Sequence, residues 1–182
     1  MPNSTTFNNI IMKTKKILLI IIILLITLIS ISISNEQNSI LTSHIIKEKP
    51  IGTLLIKKIN LKENFYNKNS NENTIEKHIT ILKETIFPNK KNSLVLIAAH
   101  SGTGKIAYFE KLDQLAKNDI INIIYQNKKY TYIVKDIWEE KKNGYININR
   151  EEKPQLVLTT CSPNKEGYQL IVNCTQKESN HN

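Results

Sequence analysis

A thiol and an imidazole hold matching places in this chain. Cys161 ends the run Leu156-Val157-Leu158-Thr159-Thr160 and is followed by Ser162-Pro163. His100 ends the run Leu94-Val95-Leu96-Ile97-Ala98-Ala99 and is followed by Ser101-Gly102-Thr103-Gly104. In each case an apolar stretch with the look of a buried strand delivers one reactive side chain to the place where the chain leaves the core. Rigid scaffolds present active groups at such places. A cysteine and a histidine so placed form a candidate nucleophile and proton-transfer pair. Taken alone, each also has a structural reading, Cys161 as a core thiol and His100 as a satisfied strand-end histidine.

The other candidates carry less. Cys174 follows Leu170-Ile171-Val172 with no polar approach and reads as structural. A bridge between Cys161 and Cys174 is the competing use of the thiol, since it would block nucleophilic chemistry. Two cysteines do not make a disulfide framework, and no spacing suggests a metal site. Gly102-Thr103-Gly104-Lys105 resembles the end of a phosphate loop, but Ala99 and Ile106 stand where that pattern needs Gly and Ser or Thr. His44, His78 and His181 read as bystanders, and no serine lies in a Gly-x-Ser-x-Gly setting.

The elements that must position the pair are mostly strands. Ile51 to Ile59 reads as a first strand, and Asn60 to Asn73 as a long polar loop interrupted by Phe65-Tyr66. Ile75, Ile79, Leu82 and Ile86 lie near helical spacing, so a short helix is expected over Thr74 to Ile86, with an extended segment as the alternative. A second short helix is expected over Ile106 to Leu115. Strand-like runs follow at Ile120 to Tyr125, Tyr130 to Val134 and Tyr145 to Ile148, then the Cys-bearing strand, and Tyr168 to Val172 last. Short strands with closely spaced turn signals predict an all-β barrel or sandwich.

The chain has 182 residues and a formal net charge of +9, which suits one domain. Its lysines are scattered among asparagines and acids, and Arg150 is its only arginine, so nucleic-acid binding is not expected. An anionic wall or membrane surface accounts equally well for the excess charge. Lys13, Lys15 and Lys16 precede the apolar run Ile17 to Ile33, which spans about 25 Å as a helix. It is apolar on every face, and flanking lysines extend its reach. A cleaved signal peptide is the rival reading, but no Ala-x-Ala site follows, and a retained anchor is favoured. The lysines predict a cytoplasmic N-terminus with the remaining domain outside.

Together these stretches resemble the sortases, membrane-anchored cysteine transpeptidases of Gram-positive bacteria. The resemblance covers roughly residues 50–173. It rests on Ile51-Gly52-Thr53-Leu54-Leu55-Ile56, Phe87-Pro88, Ala98-Ala99-His100-Ser101-Gly102, Tyr108-Phe109 with Leu112 and Leu115, Asn118-Asp119-Ile120, and Leu158-Thr159-Thr160-Cys161. The family's Thr-Leu-x-Thr-Cys signature is matched with Val157 in place of the first Thr. One departure stands out: where sortases carry an Arg on the strand after the Cys, this chain has Gln169, and Arg150 lies outside the motif.

The resemblance implies a sortase-like closed β-barrel of about eight strands with one or two short helices, behind a single N-terminal transmembrane helix. It implies a division into cytoplasmic residues 1–16, an anchor at 17–34, a stalk at 35–49, a catalytic domain at 50–174 and a polar tail at 175–182. Short loops lean towards a class D-like branch. The implied reaction is cleavage of an LPxTG-type sorting motif through a thioacyl-enzyme and transfer to an amine, without cofactor or metal. Cys161 is then the nucleophile, His100 the general acid/base, Gln169 the oxyanion donor at the usual Arg position, and Thr160 a substrate contact. The implied partners are a surface protein bearing the motif, an amine acceptor such as a cell-wall precursor or a pilin lysine, and the membrane through the N-terminal helix. With no sorting motif of its own, the chain would process anchored proteins. The alternatives are a sortase-fold hydrolase, an inactive substrate-binding relative, or a non-catalytic envelope protein with a Cys161–Cys174 disulfide.

Overall fold

The computed structural model describes residues 15–34 and 48–178. His44, His181 and most of the expected stalk lie outside the described residues. The chain divides into two units, Met1–Lys47 and Glu48–Asn182. In the first, α1 (Lys15–Ser34) is long and apolar enough to cross a membrane. Its leucines and isoleucines are exposed all round, as expected of a helix whose apolar surface meets no protein partner.

The second unit is a nearly closed barrel of eight strands: β1 (Gly52–Ile56), β2 (Leu61–Phe65), β3 (Thr80–Ile81), β4 (Leu94–Ala98), β5 (Ile120–Tyr125), β6 (Lys128–Lys141), β7 (Gln155–Cys161) and β8 (Tyr168–Gln176). Their order in the sheet is β2-β1-β5-β6-β8-β7-β4-β3, with β2 and β3 as edges. All pairs are antiparallel except β4 with β7. Two short 3₁₀ helices, Lys57–Ile59 and Leu112–Gln114, complete the unit.

The strand-end chemistry follows from the two-residue period of a strand. Val95 and Ile97 of β4, Leu156 and Leu158 of β7, and Leu170 and Val172 of β8 point into the barrel core. The alternate residues Leu96, Val157 and Ile171 pack in a second apolar cluster on the outer face, with Leu82, Leu94, Trp138, Ile146 and Ile148 around them. Strands buried on both faces read as continuous apolar runs, which is why β4 and β7 stood out in the sequence.

Several sequence expectations need correction. Leu61 to Phe65 is a strand, not a loop: its ends are buried while Lys62 and Asn64 face outward and Glu63 is half-buried between the ends, so polar and charged residues on an edge strand disguised it. Thr74 to Ile86 is no helix; it runs through turns into the two-residue β3, the extended alternative. Ile106 to Leu115 shrinks to turns and the 3₁₀ helix Leu112–Gln114. Tyr145 to Ile148 is not a strand but part of the loop after β6. β6 itself runs on through Lys141, with a register shift between Val134 and Asp136. A bulge there resets the inward alternation, so the strand appeared in the sequence to stop at Val134.

Candidate active site at the barrel rim

The parallel register of β4 and β7 sets Ala98 opposite Thr159. Carried two residues further, it brings His100 level with Cys161. Both then share the outer face, on backbones roughly 4.8 Å apart. Antiparallel pairing sets Gln169 opposite Cys161 and Glu140 opposite Gln169. Cross-strand partners share a face, so His100, Cys161, Gln169 and Glu140 form one row across four strands. The loop after β6 arches over this row, seating Ile146 and Ile148 on the outer apolar cluster. Between loop and sheet lies a cleft of about 380 Å³, lined among others by Ile75, His100, Lys142, Tyr145, Thr160, Cys161 and Gln169.

Each member is held by named contacts. The Ser101 hydroxyl donates to the Cys161 carbonyl at 3.0 Å, and the Phe109 amide donates to the His100 carbonyl at 2.9 Å. Phe109 is fully buried, so the Gly-containing loop after His100 returns to a fixed anchor. Gly102 and Gly104 both take positive φ there, a conformation cheap for glycine. Behind His100, Glu76 Oε1 lies 3.7 Å from Nε2. After Cys161 the Ser162 hydroxyl donates to Glu139 at 2.5 Å and accepts from the amides of Asn164 and Lys165. The nucleophile candidate therefore sits on the last residue of a strand, in front of an ordered turn.

Cys161 is exposed and Cys174 buried, and both are free thiols. Cys174 lies five positions along β8 from the residue facing Cys161, about 17 Å away at strand spacing. A disulfide requires Cα atoms within about 7 Å, so the Cys161–Cys174 bridge is ruled out. Burial pushes the Cys174 thiol far above its ordinary range, leaving it a packing residue.

Thr160 points to the inner side and is buried; its hydroxyl donates to the Ala99 carbonyl at 2.8 Å, tying β7 to the segment that carries His100. Gln169 is also buried. Its amide nitrogen donates to the Tyr145 carbonyl at 2.6 Å and to Glu140 Oε1 at 3.0 Å. Two acceptors there fix the orientation of the amide and occupy both of its N–H groups. Gln169 thus braces the overhanging loop. Arg150 lies away from the cleft and holds the other end of that loop, donating to Gln155 Oε1 at 3.0 Å and to the Asn92 carbonyl at 2.7 Å. His78 pairs with Glu72 at 3.4 Å and packs on Tyr66, outside the cleft lining.

Sequence reasoning missed Lys142, Glu140 and Tyr145. The first two lie in the charged run Glu139-Glu140-Lys141-Lys142, beyond the strand-like run that ends at Val134. The signal that could have found them is alternation: Trp138, Glu140 and Lys142 share the face that carries Gln169. Burial pushes the Glu140 carboxyl up, but hydrogen bonds from the Asn147 side chain and amide, Gln169 and Trp138 outweigh it, so it titrates below the ordinary carboxylate range. A depressed carboxylate contributes stability above its unfolded value, lost as pH falls through the folded one. Glu140→Gln is therefore expected to remove part of the stability loss below about pH 4.5. Urea midpoints of the two proteins at pH 7 and pH 3 check this: the difference between them narrows as pH falls.

The Sortase domain family model matches residues 54–177, more than half of the chain. The chain belongs to the sortase family. A lid mutant of sortase A from Corynebacterium diphtheriae superposes with a TM-score of 0.65 at 20% identity, over 76% of this chain and 75% of that one. Sortase C from Streptococcus pneumoniae gives 0.64 at 23%, over 72% and 70%. Sortase C1 from Streptococcus agalactiae gives 0.63 at 24%, over 75% and 72%. At such identities these structures establish the common fold. No curated protein sequence matches the chain.

Proposed function

We propose that the protein is a cysteine transpeptidase that cleaves an LPxTG-type sorting motif and transfers it to an amine. The observation that carries this reading is the placement of Cys161 beside His100 on one face of the rim, in a cleft of a sortase-family barrel. In the first step the Cys161 thiol gives its proton to His100, and the thiolate attacks the carbonyl carbon before the scissile bond. A C–S bond forms and the carbonyl π electrons move to oxygen. Collapse of this oxyanion breaks the C–N bond, and the departing amine takes the proton from His100. In the second step an acceptor amine attacks the thioester, His100 takes its proton, and sulfur leaves as thiolate.

Apolar residues at the cleft, Ile75 and Ile146 among them, suit the Leu-Pro part of such a motif. Thr160, a substrate contact by its sequence position, has its hydroxyl turned inward and bonded to Ala99, so it would meet substrate through its backbone. Gln169, the oxyanion donor implied by its sequence position, must release Tyr145 or Glu140 to serve. α1 would anchor the protein with its N-terminus in the cytoplasm and residues 50–174 outside, with residues 35–49 as the stalk. The pneumococcal sortase C is described for pilin substrate specificity; a pilin lysine or a cell-wall precursor amine would serve as acceptor here.

The test is mass spectrometry of the full chain in detergent micelles, incubated with an LPxTG peptide and an amine. A thioacyl adduct on Cys161 together with amide product is the expected result. Hydrolysed peptide without amide product would reassign the protein as a hydrolase, and no adduct at all would overturn both.

A further inference from the structure

The neighbour of the reacting sulfur is a cation that the sequence hides. Lys142 Nζ lies 3.6 Å from Cys161 Sγ, within hydrogen-bond reach of a sulfur acceptor. Its backbone is fixed, because the Lys142 amide donates to the Gly167 carbonyl at 2.8 Å and so continues the β6–β8 ladder one residue past the strand. Its side chain follows Trp138 and Glu140 on the face that bears the cleft. Lys142 takes no part in the carboxylate pairs of the described residues. Gln169, by contrast, is neutral, and both of its N–H groups are engaged.

We propose that Lys142 is the catalytic cation of this site: its ammonium stabilises the Cys161 thiolate and faces the oxyanion that forms beside it. This rests on the transpeptidase reading for the oxyanion, but the contact with the thiolate stands without any substrate. Lys142 keeps its three protons throughout, so the proton transfers remain those of His100. The charge preferred at this position follows from Coulomb's law, since a thiol is neutral and only its ionised form gains from a cation at this distance. A neutral amide offers no such bias.

Other charged groups also face the sulfur or stand next to it. His100 comes from the end of β4, with Glu76 behind it. Glu140 comes from β6, held by Gln169 and Asn147. Glu139 is bonded to Ser162, next to Cys161. The three carboxylates oppose ionisation of the thiol, which makes the lysine the more consequential.

The experiment uses the full chain in detergent micelles and follows the rate of iodoacetamide alkylation at Cys161 against pH, with the modified residue located by mass spectrometry. Buried Cys174 serves as the internal unreactive thiol. In Lys142→Met the pH midpoint of alkylation rises by about one unit, and Lys142→Arg, which keeps the charge, restores it. Acylation by an LPxTG peptide falls about 10²-fold in Lys142→Met and recovers in Lys142→Arg. A Lys142→Met midpoint equal to that of the wild type overturns the proposal. A shifted midpoint in a protein that no sorting peptide acylates supports Lys142 as the thiolate's cation and overturns the transpeptidase reading instead.

Discussion

Cys161→Ala is expected to abolish adduct formation and amide product together, a loss on the order of 10⁴-fold or more, while the thermal midpoint stays within a few degrees of wild type. The two halves of this expectation come from the same geometry. Cys161 is the last residue of β7 and exposed, so removing its sulfur leaves no cavity and exposes no buried partner. Core truncations cost several kcal/mol because their surroundings cannot collapse; here there are none to collapse. The thiol is also the only group in the row able to form the thioester. Ser101 and Ser162 are near, but Ser101 donates to the Cys161 carbonyl and Ser162 to Glu139, and neither has an imidazole as partner. Intact mass after incubation with peptide, with circular dichroism on the same sample, checks both halves. Residual thioester in the variant would mean that Cys174 reacts, which its burial opposes.

What could be read in the sequence divides by how the signal is encoded. The strands bearing His100 and Cys161 were legible because both of their faces are buried, so apolar residues run without a break to the reactive side chain. That the two strands are parallel neighbours was not legible. It depends on pairing between segments far apart in sequence, and no local pattern records it. β2 was hidden because an edge strand tolerates Lys62 and Glu63, and the inner end of β6 was hidden by a bulge. The cleft suffered most. Its wall is the loop after β6, and its polar character is set by Glu140, Lys142 and Gln169, residues whose partners lie across strands. Gln169 illustrates this. Its sequence position marks it as a substitute for a cation, whereas its contacts show an amide committed to holding Tyr145 and Glu140. Which residue carries the positive charge depends on the face that Lys142 occupies, and that follows from β6 continuing past its bulge through Lys141.

His100→Ala is expected to lower acylation and the subsequent aminolysis by about 10²- to 10⁴-fold, the range for loss of a positioned acid–base, without abolishing thiolate alkylation. The distinction arises because two groups act on one sulfur. Lys142 favours the ionised thiol but gives no proton to the leaving amine, and an amine expelled unprotonated is a poor leaving group. His100 is the one group in the row that can both accept the thiol proton and return it at a carbon-bound nitrogen. The structure holds it for this: its carbonyl accepts from Phe109, and Glu76 lies near Nε2. Glu76 is largely exposed, so an exposed pair of this kind contributes little to stability, and the alanine variant should fold. Two measurements separate the roles, the alkylation rate at Cys161 and the single-turnover acylation rate with the sorting peptide. Acylation that falls while alkylation at high pH is unchanged places His100 at the leaving group. Equal losses in both would place its main action on the thiol, and unchanged acylation would remove it from the chemistry.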